Sequence, residues 1–248
     1  MGAHKGVVLS ERDYRLFNFL HKCKYAGVKP LMNIFQTDIT TVRHRLRKLE
    51  DYKYIGCIKL NFIESSLYFL GTKAKIIIAE TLNEDIPKRP LKSLTDKSII
   101  NLKHHLKICD LASILSAKGY DYEIDLTAKK AYPEFKIIPD IVLKKDNELI
   151  GLEIEFEYKT PPKYAKKLSQ FQNSEELKKL IYLVKGNPET LRNKINKIDK
   201  YMGGKTIDER FIMKDTKERI EYIKLTDFEP NIDGYLNGNN HTQEQIKK

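Results

Sequence analysis

The apolar positions in the first third of the chain recur at helical spacing, then switch to short runs with strand character. From Ser10 to Tyr25, Tyr14, Phe17, Leu20 and the Leu16/Leu20 pair share one side, predicting a helix of about four turns with Ser10 as N-cap and Gly27 as its stop. Lys29 to Phe35 reads as a short second helix. Thr37-Asp38 caps a third, on which Ile39, Val42, Leu46 and Leu49 recur at intervals of 3, 4 and 3. A strand at Ile55–Phe62, a polar turn at Glu64-Ser65-Ser66, a strand at Leu67–Leu70 and a helix opened by Gly71-Thr72-Lys73 complete this part. Three helices followed by a hairpin is the order of a winged helix-turn-helix.

Pro87 and Pro90 stand among charged residues and interrupt any helix there, so residues 83–95 read as a linker between a domain at 8–82 and a second at 96–228. The second part opens with a long, mostly apolar helix, Lys97–Lys118, ending at Gly119. Strand-like runs follow at 120–127, 136–144 and 149–157, then a basic helix from Pro162 to Lys179 and a short strand, Leu180–Val184. The order α, β, β, β, α, β predicts a mixed sheet flanked by helices, an α+β or α/β architecture. A helix and a strand within 188–228 have no place in that scheme. Residues 231–248, rich in Asn, Gly, Gln and Lys without apolar periodicity, read as a disordered tail.

Charge sharpens the picture of the first part. The chain carries 45 Lys and Arg against 34 Asp and Glu, a net +11, and residues 1–90 alone hold 16 basic against 9 acidic, a net +7. Concentrated positive charge suits a polyanion, because neutralised phosphates release condensed counterions. On the third helix, Thr40, Thr41, His44, Arg47 and Lys48 lie opposite the apolar stripe, flanked by Arg43 and Arg45. Arginine can grip guanine or phosphate, and threonines with a helix N-terminus can contact the DNA backbone or thymine methyls. The alternative is a solvated face that serves solubility only. The three cysteines, Cys23, Cys57 and Cys109, are odd in number and far apart, which argues for core thiols. No apolar run is long enough for a membrane span or signal peptide, so a cytoplasmic protein with no membrane partner is expected.

The second part carries the candidate chemistry. Pro139-Asp140 lies on one strand, and Glu153, Glu155 and Glu157 follow on the next at period two, all on one face, with Lys159 in the same parity. Paired strands would bring Asp140, Glu153 and Glu155 together, which like charges tolerate only with a cation or raised pKa values. A magnesium or manganese ion would relieve the repulsion and could activate water on a phosphodiester. Glu123, on the preceding strand, is a further candidate ligand, and His104 and His105 on the long helix are candidate phosphate contacts or proton donors. The alternative is a strand whose glutamates face water.

Over residues 8–186 these segments resemble the bacterial replication-relaxation family, which includes the MOBC-type relaxases of mobilisable plasmids. The matching segments are LKHHLKICDL, where His104 and Asp110 fall on the family's His and Asp, IPDIVL with Asp140, and LEIEFEYK with Glu153 and Glu155. The resemblance implies a winged helix followed by a divergent PD-(D/E)XK, restriction-endonuclease-like domain with Asp140, Glu153, Glu155, Lys159 and His104 in catalytic roles. It further implies double-stranded plasmid DNA at a transfer or replication origin as partner, with other relaxosome proteins and a coupling protein. The chain departs from the nuclease pattern where the lysine should stand: Glu155 lies two residues after Glu153, and an E-x-K occurs only at Glu157-Tyr158-Lys159. The implied function is metal-dependent nicking at a transfer origin. A replication initiator, relaxosome accessory protein or transcriptional regulator with a degenerate nuclease fold is the alternative.

Overall fold

A computed structural model describes residues 6–59, 66–83, 96–198 and 214–236, a mixed α+β protein in two compact units, 1–127 and 128–248. The expected linker from 84 onward, the turn at Glu64-Ser65 and the tail beyond 236 lie outside the described residues.

In the first unit, helix α1 (Glu11–Cys23) starts at N-cap Ser10, whose N–H and hydroxyl both donate to the Asp13 carboxylate, at 2.6 and 2.8 Å. It ends at Lys24, which adopts φ 65°, so Gly27 serves instead as N-cap of α2 (Val28–Phe35). The buried stripe of α1 is Leu16, Phe17, Phe19, Leu20 and Cys23, while Tyr14 is exposed at 45%. Helix α3 (Ile39–Asp51) buries Val42, Leu46 and Leu49, as its spacing predicts. A short β1 (Tyr25–Ala26) pairs antiparallel with β3 (Leu67–Leu70), which pairs antiparallel with β2 (Ile55–Ile58), and α4 (Thr72–Leu82) follows.

Helix α5 (Asp96–Ala117) belongs to this first unit. It packs against α2, and Asn33 Nδ2 donates to Ser113 Oγ at 2.8 Å. The sequence placed the division at 83–95, but compactness places it after Thr127, because the apolar residues of α5, including Cys109, Leu111, Ala112 and Leu115, bury with those of α1 and α2. Strand β4 (Asp121–Ile124) is shorter than the expected 120–127, because Asp125 opens helix α6 (Asp125–Ala131), where Thr127 Oγ1 accepts the Ile124 N–H at 3.1 Å.

In the second unit, β5 (Ile141–Lys145) turns into β6 (Glu148–Glu155) through Asp146 and Asn147, at φ 47° and 65°. Two positive-φ residues make the tight turn whose twist suits a hairpin. Helix α7 (Pro161–Gln172) crosses over to β7 (Leu177–Val184), which runs parallel to β6. Helix α8 (Pro188–Asn196) and α9 (Lys214–Glu218) precede β8 (Ile220–Lys224), parallel to β7, so the order is β5-β6-β7-β8. The basic helix is shorter than expected, because Asn173 ends it and Leu177 already begins the buried strand. Tyr164, Ala165, Leu168 and Phe171 of α7, with Leu191 and Ile195 of α8, form one core with Leu180, Tyr182 and Val184.

Two short helices, α10 (Leu225–Phe228) and α11 (Ile232–Leu236), follow. Residues 231–236, expected to belong to the tail, are instead folded: Ile232 and Leu236 are buried, and Lys145 Nζ donates to the Leu236 carbonyl. Among the described residues no helix is long and apolar enough to cross a membrane.

Candidate functional site

The exposed face of α3 is shaped by its two anchors. Asp38 is the N-cap; its Oδ1 accepts the N–H groups of Thr40 and Thr41 at 2.8 and 3.0 Å, and Oδ2 accepts the Thr41 hydroxyl at 2.7 Å. The N–H groups expected to meet a phosphate are thus held by a carboxylate of the protein. Arg45 is the second anchor. Its Nε donates to Asp13 Oδ1 at 2.8 Å, its Nη2 bonds Asp13 Oδ2, and Nη2 also donates to the Val8 carbonyl at 2.9 Å. Asp13 is fully buried. Burial raises its pKa, but Arg45 and Ser10 outweigh that and hold the carboxyl below its ordinary range. Arg45 therefore ties α3 to the start of α1. Thr40, Thr41, Arg43, His44, Arg47 and Lys48 remain exposed.

In the second unit, Glu153 and Glu155 do not face water: they are 1% and 3% exposed. Their strand parity directs them to the face shared with Tyr182 and Val184, their register partners on β7. Asp140 immediately precedes β5, and its Oδ2 accepts the Ile154 N–H at 2.8 Å, which locks the loop carboxylate onto β6 beside Glu153. Gly151 makes this approach possible, since a Cβ there would lie 2.7 Å from Pro139 Cγ.

Each buried glutamate has a lysine. Lys159 Nζ lies 3.0 Å from the Glu155 carboxylate, and its N–H donates to Tyr164 Oη at 3.0 Å. Lys167 of α7 forms an ion pair with Glu153 Oε2. Among the described residues Glu153 Oε1 and the Tyr182 hydroxyl are buried without a hydrogen-bond partner. Burial and the neighbouring Asp140 charge push the Glu153 pKa up to about 7, against the lowering influence of Lys167 and Lys159. A buried carboxyl poised near neutrality, next to a second carboxylate and an ammonium, can exchange a proton or accept a cation.

The structure thus brings together Asp140, Glu153, Glu155 and Lys159, and adds Lys167, which the sequence reading missed. Its signal was present: Lys167 falls in the Tyr164, Leu168, Phe171 stripe, the inward face of an otherwise basic helix. Glu123 lies on β4 in the first unit, engaged by Lys22 Nζ at 2.8 Å. His104 is half-buried on α5, and its neighbour His105 contacts the Cys23 carbonyl at 2.6 Å and Cys109 Sγ at 3.4 Å, against Tyr25. His105 thus helps hold α5 to the end of α1 and the start of β1. Among the described residues no group of three or more His, Cys, Asp or Glu side chains is disposed to hold a metal ion. Comparison with family models, curated proteins and solved structures returns no match.

Proposed function

We propose that this chain is a DNA-processing protein in which α3 recognises DNA and the Asp140–Glu153 site of the second unit cleaves a phosphodiester, in the manner of a plasmid mobilisation relaxase nicking at a transfer origin. The observation that carries this reading is the Glu153 carboxylate, buried beside Asp140 with its Oε1 lacking a hydrogen-bond partner among the described residues. Burying two carboxylates side by side costs several kcal/mol, roughly, and groups perturbed in this way cluster at functional sites. The order β5, β6, α7, β7, with a Pro-Asp before β5 and acids on β6, supports the restriction-endonuclease-like reading. Helices α1 to α3 followed by β2 and β3 support the winged-helix reading. The plasmid context comes from the sequence resemblance alone.

The residues fit a hard divalent cation. Magnesium and manganese take oxygen ligands, and magnesium commonly uses one or two carboxylates with water and substrate phosphate completing its shell. Asp140 and Glu153 would hold it, so a three-ligand protein cage is not required. Such an ion would polarise the phosphodiester and activate water. The chain's own residues do the rest. With the ion bound Glu153 would serve as a carboxylate ligand, and Lys167, its ion-pair partner, offsets the negative charge growing on the phosphoryl oxygens. Lys159 and Tyr164 keep Glu155 oriented at the edge of the site.

The reading predicts that purified protein converts supercoiled plasmid carrying its own origin to open circles with magnesium or manganese and not with EDTA. One observation favours a second reading, a DNA-binding initiator, accessory protein or regulator without cleavage: Glu153 and Glu155 already pair with Lys167 and Lys159. Tight binding to the origin with no nicking under any metal condition would select it.

A further inference from the structure

The second unit opens a cleft of about 370 Å³, lined by Pro161, Thr190, Asn193, Lys194 and Lys197. Every side chain in that lining except proline carries a hydrogen-bond donor, and none is a carboxylate. Pockets for small organic ligands are mostly apolar, and cation sites need acidic oxygens; this lining has the chemistry of neither. Glu189, the acid on α8, is paired with Arg192 at 2.8 Å, and among the described residues neither Lys194 nor Lys197 forms an ion pair with a carboxylate.

The cleft is braced. The Lys194 ammonium sits 5.0 Å from the centre of the Tyr158 ring, and the Tyr158 hydroxyl donates to the Asn187 carbonyl at 2.8 Å. Asn187 in turn caps α8 through the Glu189 N–H at 2.9 Å. Gly186 admits the tyrosine, because a Cβ there would lie 2.8 Å from its hydroxyl. Tyr158 thereby fixes both the start of α8 and one of its lysines. The same short segment carries Glu155 and Lys159 of the carboxylate site, then Thr160, the N-cap of α7, and Pro161 in the cleft wall.

We infer that this cleft binds the phosphodiester backbone of a nucleic-acid strand and leads it along residues 155–161 to the carboxylate site. The inference rests on the nucleic-acid reading above but concerns a surface separate from α3. Lys194 and Lys197 neutralise successive phosphates, and Asn193 and Thr190 donate to backbone oxygens.

The test is fluorescence anisotropy of the full chain with a labelled 20-nucleotide duplex and the matching single strand over a sodium chloride series, with melting curves to check each variant. Lys194→Gln/Lys197→Gln should lower the slope of log affinity against log salt by about 1.8 for the duplex or about 1.4 for the single strand, whichever occupies the cleft. The same drop should appear in an Arg43→Gln/Arg47→Gln background, whereas Lys194→Arg/Lys197→Arg should keep the parental slope. An unchanged slope in the glutamine pair, with binding still weakened by Arg43→Gln/Arg47→Gln, would overturn the cleft and leave the α3 reading standing. A slope lost equally in the arginine pair would also overturn it, since charge would not be the cause. Absence of any binding by the parent protein at low salt would remove both readings.

Discussion

Arg43, Arg45 and Arg47 occupy a single stretch of α3, yet only Arg45 is turned into the fold. Removing its guanidinium strands the Asp13 carboxylate in the core, where an unpaired buried charge costs about 3 kcal/mol or more. Arg45→Ala should therefore lower the urea midpoint sharply, while Arg43→Ala/Arg47→Ala should leave it unchanged and weaken DNA binding. Equal stability of the two variants would refute the anchoring role. Because the Asp13 pKa is depressed, its contribution is present above the ordinary carboxylate range and is lost as pH falls through the folded value. Glu153 has the opposite sign. Its pKa rises from 4.5 to about 7, so between those values the folded chain keeps a proton that the unfolded chain releases, and stability declines as pH rises through the window. Glu153→Gln should flatten that decline, which thermal melts at pH 5 and pH 7 would measure.

At the scale of elements, caps and close approaches position the candidate sites. Asp38→Ala should cost about 1 kcal/mol through loss of the α3 cap, read as a lower urea midpoint. Gly151→Val should displace Pro139 and with it Asp140, abolishing nicking while the first unit's DNA binding persists. Helices with an apolar stripe were legible from the chain: α1, α2 and α3 lie within a few residues of their expected bounds, since periodic burial alone defines them. Elements defined by tertiary contact were not. Helix α6 follows β4 without an apolar break, and α7 stops seven residues before the expected end at Lys179 because Leu177 is needed in the sheet. The parity of Glu153 and Glu155 was readable. That the shared face is buried was not, because burial depends on α7 lying over it, and so Lys167 went unnoticed.

For the whole molecule, the net charge of +11 and the basic α3 set an electrostatic attraction to polyanions that salt should weaken steeply. The division of the chain was the least legible feature. Prolines near residue 90 mark a break in local structure, but α5 beyond them buries its side chains against α2, and packing rather than composition decides which unit owns a helix. The central claim is that the buried Asp140–Glu153 site performs strand cleavage. Its most direct test is the nicking rate of Glu153→Gln against the parent chain on supercoiled origin plasmid with manganese, with DNA affinity measured on the same preparations. The account predicts a loss of about 100-fold or more in nicking with affinity retained. Nicking at the parental rate by the variant would contradict it.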